Sequence, residues 1–431
     1  MQHHFSVLCK TVQCRRASWR NLIGIGLVSV AALTLAGCGG DDDHIYVPPF
    51  QPYDVPNSVV IADFDNDGKN DIAVAYTHVD NTYPDAGYAG IILQSHTSAG
   101  TFQQSVDTAI GTNPSIIALG DLDEANGIDL VTANASSNNV SVLLQGTTAG
   151  QFNTAMNVAA NGSANGVPND VAAGDLNNDG LADIAVADSY NGNVDVLLQD
   201  PANHGHFLTP AYLATGNQTI SVAVGDVNGD GLADVVATSY DLYGNNGVVS
   251  VFIQDANNPG SFLTRVDYAS GPEPSCVKIA DVNGDGKPDL VITNRGPGAD
   301  HMGSAGVSVL LQVASAPGTF TTPVTYATAP GAINVAVGDL NGDGKPDLVV
   351  ANLGGGWTGS VSVLLQDPAQ AGVFQSATNY AGVYGPLSVA IGDLNGDGKP
   401  DIAVADGNRA TVMFQSATTA GSFADPVLVG D

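Results

Sequence analysis

Several residue types are scarce in this chain, and their scarcity limits the possible folds. Only two of the 431 residues are glutamates, Glu124 and Glu273, and lysine and arginine together number 12. These residue types usually fill the solvent-facing positions of helices. Glycine, by contrast, occurs 52 times. The composition therefore predicts an all-β fold that is rich in turns.

Positive charge is also scarce, which excludes one class of partner. The 43 acidic residues leave a formal net charge of −31 at pH 7. Proteins that bind nucleic acid neutralise its phosphates with lysine and arginine, so we expect no nucleic-acid partner. Nineteen of the acidic residues stand in six repeated loops, where they are candidate metal ligands.

Long hydrophobic runs are missing as well. The apolar run from Leu22 to Thr34 has 13 residues, fewer than the roughly 20 that span a membrane. Basic residues precede it and Leu35-Ala36-Gly37-Cys38 follows it, which is typical of a bacterial lipoprotein signal. We therefore expect residues 1–37 to be a signal peptide. Cys38 would carry a lipid that anchors the exported protein to the membrane of the cell envelope, in the outer membrane or at the cell surface. The alternative is an ordinary secretory signal with an incidental cysteine.

Cysteine use agrees with export but offers no disulfide framework. Of the four cysteines, Cys9 and Cys14 lie within the signal peptide, Cys38 would be lipidated, and only Cys276 remains. Residues 38–57 contain three consecutive aspartates and four prolines, which predicts a flexible tether. The folded domain is expected to cover residues 58–431.

One nine-residue loop dominates the rest of the sequence. In Asp339-Leu-Asn341-Gly-Asp343-Gly344-Lys-Pro-Asp347, oxygen-bearing side chains stand at positions 1, 3, 5 and 9, and glycine stands at position 6. Calcium takes about six to eight oxygen ligands, and Gly344 allows the positive φ of a tight turn. We expect Ca²⁺ here, with a backbone carbonyl at position 7 and both carboxylate oxygens of Asp347 completing the shell.

The loop occurs in six intact copies and one incomplete copy. The candidate calcium ligands of the intact copies are Asp63, Asp65, Asp67, Asp71, Asp175, Asn177, Asp179, Asp183, Asp226, Asn228, Asp230, Asp234, Asp281, Asn283, Asp285, Asp289, Asp339, Asn341, Asp343, Asp347, Asp393, Asn395, Asp397 and Asp401. The incomplete copy keeps Asp121, Asp123 and Asp129 but has Ala125 at position 5 and Asn126 at position 6. We therefore expect about six calcium sites and none in the second repeat. An EF-hand is excluded because no copy has its position-12 glutamate. Solvated Asp-Gly turns would explain one copy but not six.

Around each loop the same order of β-type segments recurs. An alternating segment such as Ser221-Val-Ala-Val-Gly precedes the loop, and Asp234-Val-Val-Ala-Thr follows it. A third segment ends in glutamine, a phenylalanine comes seven or eight residues later, and a fourth segment closes the repeat. The glutamine–phenylalanine pairs are Gln94 and Phe102, Gln145 and Phe152, Gln199 and Phe207, Gln254 and Phe262, Gln312 and Phe320, Gln366 and Phe374, and Gln415 and Phe423. We expect the glutamines to cap a sheet edge and the phenylalanines to lie between neighbouring sheets.

Four short strands in each of seven repeats predict an all-β fold, a seven-bladed β-propeller of four-stranded antiparallel blades. The loops start 51 to 58 residues apart, a longer period than the roughly 40–45 residues of a WD40 array. The last repeat contains its own fourth strand, Pro426-Val-Leu-Val. We therefore expect the first blade to pack against the last without adding a strand to it.

The Asp-x-Asn-x-Asp-Gly-x-x-Asp loop with its flanking strands resembles the FG-GAP or VCBS repeat of integrin α-subunit propellers and of many bacterial surface proteins. The resemblance covers residues 58–431. It implies a seven-bladed propeller, calcium in the loop between the first and second strands, and a function in adhesion or ligand binding. The second repeat departs from the family pattern at Ala125 and Asn126.

Motifs for catalysis are missing. The sequence has no Gly-x-Ser-x-Gly elbow, no His-Glu-x-x-His motif and no glycine-rich phosphate loop. We therefore expect a binding or adhesion module more than an enzyme. A calcium-dependent, lyase-like enzyme acting on polysaccharide, a lectin, and a purely structural envelope component remain as alternatives.

The alternation of strand direction separates two faces of the predicted propeller. The calcium loops emerge on one face, whereas the loops between second and third strands and the connections between blades emerge on the other. A protein or glycan ligand is expected on this second face, because its loops vary most in length. Exposed candidates in those loops are Tyr83, Tyr88, Tyr240, Tyr243, Arg295, His301 and Trp357. Packing within their own loops is the alternative role of these side chains.

Overall fold

The computed structural model describes residues 53–80, 85–125, 127–160, 166–241, 247–296, 306–354, 358–407 and 410–430. The expected signal peptide, Cys38 and most of the expected tether lie outside these ranges. So do Tyr83, Tyr243, His301 and Trp357 of the expected ligand face. Within the described ranges, no helix has the length and apolar character needed to cross a membrane.

The described residues form 28 strands in seven sheets, here called blades 1 to 7. Blades 1 to 3 contain β1 (Tyr53–Ala62), β2 (Asp71–Val79), β3 (Ala86–Ile92), β4 (Val106–Ile110), β5 (Pro114–Gly120), β6 (Asp129–Asn134), β7 (Asn139–Leu143), β8 (Met156–Ala159), β9 (Pro168–Gly174), β10 (Asp183–Asp188), β11 (Asn193–Leu197) and β12 (Ala211–Ala214). Blades 4 and 5 contain β13 (Gln218–Gly225), β14 (Asp234–Tyr240), β15 (Gly247–Phe252), β16 (Val266–Ala269), β17 (Pro274–Ala280), β18 (Asp289–Asn294), β19 (Gly306–Leu310) and β20 (Val324–Ala327). Blades 6 and 7 contain β21 (Ala332–Gly338), β22 (Asp347–Asn352), β23 (Ser360–Leu364), β24 (Thr378–Tyr380), β25 (Ser388–Gly392), β26 (Asp401–Ala405), β27 (Ala410–Met413) and β28 (Val427–Val429).

Each blade is an antiparallel meander of four consecutive strands, which confirms the predicted seven-bladed β-propeller. Burial falls from the second strand of a blade to its outer edge. β22 is buried at all six positions, whereas three of the four residues of β20 are exposed. Second strands have neighbouring blades on both faces and therefore consist of continuous apolar runs. In the outer strands, residues that face solvent alternate with residues that face the blade interface.

The hydrophobic core lies between adjacent blades. Val349 and Val363 of blade 6 pack with Ile402 and Val404 of blade 7, for example. The repeated phenylalanines take part in this packing, as Phe423 does: its ring lies edge-on to Tyr380 of blade 6, with centroids 5.8 Å apart. The expected position of the phenylalanines between sheets is confirmed at this interface.

Four of the repeated glutamines join neighbouring blades: Gln145, Gln312, Gln366 and Gln415. Gln94, Gln199 and Gln254 donate to a carbonyl of their own blade. Gln366 Nε2 donates to the Pro346 carbonyl of its own blade at 2.9 Å and to the Val282 carbonyl of blade 5 at 2.7 Å. Gln415 Nε2 likewise donates to the Leu340 carbonyl of blade 6 at 2.7 Å. All four distant carbonyls belong to position 2 of an acidic loop, so these glutamines tie the loops of blades 1, 4, 5 and 6 to another blade.

Polar side chains in the first strands form hydrogen bonds between neighbouring blades around the centre of the ring. Asp170 Oδ2 accepts the Val222 amide of the next blade at 3.1 Å, and Ser221 Oγ accepts the Val277 amide of the blade after that, also at 3.1 Å. These bonds satisfy backbone donors that no strand of their own blade reaches.

The ring closes as expected. β1 belongs to its own blade, and the last sheet consists of β25 to β28. The Val59 amide donates to Ser388 Oγ at 3.3 Å, and Asn70 Nδ2 donates to the Asp393 carbonyl at 3.1 Å. One expected boundary was wrong. β1 begins at Tyr53 rather than at Ser58, because residues 53–56 extend the antiparallel pairing with β2, so residues 53–57 do not belong to a flexible tether.

Candidate functional site

The acidic loops lie between the first and second strands of each blade. In blade 6 the loop winds around Asp339. Its Oδ1 accepts the amides of Gly342 at 2.8 Å and Asp343 at 3.2 Å, and its Oδ2 accepts that of Gly344 at 2.8 Å. Asn341 Oδ1 accepts the Asp343 amide at 2.9 Å. Gly344 has a φ of 82°, the left-handed conformation expected at position 6.

The aspartate at position 9 has a role that the sequence did not reveal. Asp347 is fully buried; its Oδ2 accepts the Leu340 amide at 2.9 Å, and its Oδ1 accepts the Gln366 amide at 2.7 Å. It thereby fastens the loop to the third strand. Each oxygen of Asp347 accepts one amide, so the expected role as a bidentate calcium ligand stays a prediction beside this structural role.

All seven blades use this fastening, and its electrostatics are uniform. Burial raises the pKa of Asp347, the Gln366 and Leu340 amides lower it, and the charges of Asp343 and Asp339 raise it, with a net result of about 6. The other position-9 aspartates with a pKa raised to about 6 or 7 are Asp71, Asp129, Asp183, Asp234, Asp289 and Asp401. In every blade, neighbouring carboxylates of the loop therefore contribute to the raised pKa of a buried carboxyl.

The loops bring oxygen donors close together. In blade 1, carboxylate oxygens of Asp63, Asp65 and Asp71 lie within 4.8 Å of one another. Such an all-oxygen donor set has the chemistry that calcium prefers. The incomplete loop of blade 2 keeps a similar group, Asp121, Asp123 and Asp129, within the same distance.

Blade 1 adds a histidine that sequence reasoning missed. His96 Nδ1 lies 2.6 Å from Asp67 Oδ2, and its Nε2 lies 3.4 Å from Asp65 Oδ2. The imidazole ring thus spans the carboxylates at positions 3 and 5 of the loop. Only the fold brings it there, because His96 belongs to the connection between the third and fourth strands.

On the opposite face, the expected ligand-binding residues are less exposed than predicted. Arg295 follows β18 and is only 9% exposed, so the expectation of an exposed arginine was wrong. Tyr240 is the last residue of β14 and is half-buried. Tyr88 lies within β3, also half-buried, and stacks on Tyr76 with ring centroids 5.5 Å apart. Neighbouring strands and blades cover these residues, an effect that loop length does not reveal.

Other side chains on that face are more accessible. Tyr190, in the turn between β10 and β11, is 65% exposed, and Tyr384, in the connection from blade 6 to blade 7, is 57% exposed. Near Tyr88, His78 Nδ1 lies 2.7 Å from Asp54 Oδ1, and the two rings of His78 and Tyr88 meet edge-on with centroids 6.4 Å apart. Sequence reasoning missed Tyr190 and Tyr384 because it considered only the longest loops.

The chain is similar to a lectin from Agrocybe aegerita with specific recognition of non-reducing terminal N-acetylglucosamine, at 17% identity and a TM-score of 0.45, covering 76% of this chain and 80% of the lectin. It is also similar to a protein from Lactobacillus plantarum, at 15% identity and a TM-score of 0.48, covering 75% of this chain and 84% of that protein. A search of curated proteins finds no match. The model of the FG-GAP-like repeat matches residues 175–237, 240–292, 298–350 and 339–404. Because these segments make up more than half of the sequence, the chain belongs to the FG-GAP-like repeat family.

Proposed function

We propose that this protein is an exported, lipid-anchored, calcium-binding propeller that presents one face to a protein or glycan ligand at the cell envelope. The ligand face consists of the loops between second and third strands and the connections between blades. The observation that carries the proposal is the pair of highly exposed tyrosines there, Tyr190 and Tyr384. Tyrosine offers a rigid apolar ring and a polar tip, which suits both protein and sugar surfaces.

Calcium has a supporting role in this proposal. The six intact loops present oxygen donors at positions 1, 3 and 5 beside a buried aspartate, as Asp339, Asn341 and Asp343 do beside Asp347. A divalent cation there would offset the repulsion among three or four carboxylates. Since the loops of blades 1, 4, 5 and 6 also accept a glutamine amide from another blade, bound calcium would hold the ring together from the face opposite the ligand.

The ligand-binding proposal is tested with glycan and protein arrays, read with millimolar calcium and with EGTA. Tyr190→Ala and Tyr384→Ala should each weaken the binding that the arrays find without lowering the melting temperature. Tyr212→Ala is the matched control, because Tyr212 is 52% exposed but lies on the outer strand β12. Trp357→Ala and Tyr243→Ala extend the series to two longer loops. Binding that survives the face variants but is lost in Tyr212→Ala would place the ligand on the rim instead.

A specific contact favours a second candidate, a calcium-dependent enzyme acting on polysaccharide. The His78 imidazole, oriented by Asp54 beside Tyr88, has the arrangement of a general base next to an aromatic surface. Incubation with acidic and neutral polysaccharides, followed by mass spectrometry of soluble products, tests this activity. Cleavage that disappears in His78→Ala supports the enzyme, and intact polysaccharide excludes it.

Membrane anchoring rests on the sequence around Cys38. The apolar run before it is too short to span a bilayer, so a lipid on Cys38 would be the attachment. Cys38→Ala should move the protein from the membrane pellet to the soluble fraction after cell lysis. A variant that stays in the pellet would contradict the lipoprotein proposal.

A further inference from the structure

Position 4 of the acidic loops has a left-handed backbone. Its φ is 76° at Gly342 of blade 6 and 57° at Asn178 of blade 3. Glycine adopts such a φ without strain, and asparagine tolerates it. Position 3 is asparagine in five of the six intact loops. Where glycine follows, the loop contains an Asn-Gly dipeptide, as in Asn228-Gly229, Asn283-Gly284, Asn341-Gly342 and Asn395-Gly396.

Asn-Gly dipeptides are prone to a particular covalent change, the deamidation of asparagine. The glycine nitrogen has no neighbouring Cβ to hinder it. It gives up its proton to solvent and attacks the side-chain Cγ of the asparagine; the amide nitrogen takes up a proton and leaves as ammonia. Water then opens the resulting succinimide ring to aspartate or isoaspartate. The net reaction consumes one water, releases one ammonia and adds one negative charge.

The folded loop holds both reacting groups of this dipeptide. In blade 6, Asn341 Oδ1 accepts the Asp343 amide at 2.9 Å, and the Gly342 amide donates to Asp339 Oδ1 at 2.8 Å. Gly342 itself is exposed to water. The glycine amides of the other three dipeptides donate to the position-1 aspartate at 2.6, 2.7 and 2.6 Å. The nitrogen has to leave this carboxylate before it can attack, so the conformation of the loop controls the reaction.

We propose that the asparagines of these four dipeptides are deamidation sites, which react when the loops lack calcium and are protected when calcium is bound. The proposal rests on the calcium sites of the proposed function. Asp339 and Asp343, which hold the reacting groups of blade 6, are both candidate calcium ligands. An ion bound to them would keep the loop closed, whereas without an ion the repulsion among the carboxylates favours opening.

Blade 1 shows what the aspartate product would require. Its position 3 is Asp65, and His96 Nδ1 lies 2.6 Å from Oδ2 of the position-5 aspartate. In blade 4 that place is taken by Asn228, whose Nδ2 donates to Asp230 Oδ2 at 3.0 Å. Deamidation of Asn228 would remove this donor, and blade 4 has Ala256 where blade 1 has His96. The modified loop would therefore depend more strongly on calcium than the original one.

The test follows deamidation of the full chain at neutral pH, in millimolar calcium and in EGTA. Peptide mass spectrometry measures the mass increase at each asparagine, and an isoaspartyl methyltransferase detects isoaspartate. In EGTA the four sites should react at least tenfold faster than Asn177, which is followed by Asn178. Calcium should slow them tenfold or more. If they react no faster than Asn177 in EGTA, the proposal is wrong.

An Asn-Gly dipeptide outside the acidic loops serves as the matched control. Asn191-Gly192 lies in the turn between β10 and β11, and its glycine amide donates to the Asp188 carbonyl at 3.1 Å. Its rate should be the same in calcium and in EGTA. An equal acceleration of Asn191 and the four loop sites in EGTA would show unfolding of the whole protein and would contradict local control by the loops.

Two variants of blade 6 separate the dipeptide from its surroundings. Gly342→Asn gives the loop the residue that blade 3 has at Asn178, and it should slow deamidation of Asn341 tenfold or more in EGTA without affecting the other three sites. Asn341→Asp reproduces the product, and it should lower the melting temperature more in EGTA than in calcium. An unchanged rate in Gly342→Asn would overturn the proposed role of the glycine.

The melting temperature distinguishes the two ways in which protection by calcium can fail. If calcium raises the melting temperature but does not slow deamidation, the calcium sites stand and this proposal is wrong. If calcium changes neither the melting temperature nor the rates, the proposal fails together with the proposed calcium sites.

Discussion

The incomplete loop of blade 2 and the intact loop of blade 6 share one half of their structure and differ in the other. In both, the position-9 aspartate is fully buried and accepts two amides. Asp129 accepts those of Leu122 and Gln145, each at 2.7 Å, and Asp347 accepts the corresponding pair. The fastening of the loop to the third strand is therefore independent of a complete set of candidate metal ligands.

The first half of the loop differs between the two blades, because blade 2 lacks the residues that positions 5 and 6 have in an intact loop. Asp339 of blade 6 is half-buried and accepts three loop amides, whereas Asp121 of blade 2 is exposed. Ala125 still donates its amide to Asp123 at 2.9 Å, but it offers no oxygen to the centre. The comparison indicates that position 9 fastens the loop to its blade whether or not the candidate ligands at positions 1, 3 and 5 are complete.

Removal of calcium should have the largest effect, because it acts on six loops at once. Affinities of extracellular calcium modules are roughly 10⁻⁴–10⁻³ M, so millimolar calcium stabilises the folded state by mass action. We expect a lower melting temperature in EGTA than in millimolar calcium, measured by calorimetry, with magnesium as the control ion. Equal melting temperatures in EGTA and calcium would rule out the proposed sites.

Loss of the position-9 carboxylate should destabilise complete and incomplete loops alike. Asp129→Ala and Asp347→Ala each leave two buried amides without an acceptor, at a cost of roughly 2–5 kcal/mol in unfolding free energy. Urea denaturation in EGTA measures this cost in the absence of calcium. If only Asp347→Ala is destabilised in EGTA, position 9 does not have the same structural role in the two loops and the comparison above is mistaken.

Loss of a candidate ligand should distinguish the two loops. Asp343→Ala, at position 5 of the intact loop, should lower the melting temperature in calcium by a few degrees. Asp123→Ala, at position 3 of the incomplete loop, should lower it less, and the difference should vanish in EGTA. The converse change, Ala125→Asp together with Asn126→Gly, should raise the calcium stoichiometry from six to seven in equilibrium dialysis. A stoichiometry that stays unchanged would show that blade 2 lacks more than these two residues.

A smaller, pH-dependent effect on stability should distinguish blade 3 from blade 2. Asp195 of blade 3 occupies the place of Ser141 in blade 2, is fully buried, and has a pKa that burial, and then Asp188, raise to about 8. The folded state therefore retains a proton that the unfolded state releases near pH 4, and the stability falls as the pH rises from about 4 to about 8. The melting temperature of Asp195→Ser should rise relative to that of the wild type as the pH increases from 5 to 8. A difference between the two melting temperatures that stays constant over this range would contradict the shifted pKa.

Much of the fold could be predicted from residue patterns, and less of the candidate site. The loops and strands follow local rules, so β14 and β28 begin within a residue of the expected segments. The degree of exposure does not follow such rules. Arg295 was expected to be exposed and is buried, and Tyr190 was missed although it is among the most exposed aromatic residues, because exposure depends on which neighbouring blade covers a side chain.

The sequence by itself determined the repeat, the period of two in its strands and the placement of oxygen donors in its loops, since each of these depends on residues a few positions apart. Only the tertiary structure decided how the blades meet. The Val59 amide donates to Ser388 Oγ, in a residue 329 positions further along the sequence. Asp170 accepts the Val222 amide of the next blade at 3.1 Å, where Ile116 of the preceding blade has no side-chain acceptor to offer. Such contacts satisfy donors that become neighbours only when the ring closes, and no local pattern encodes them.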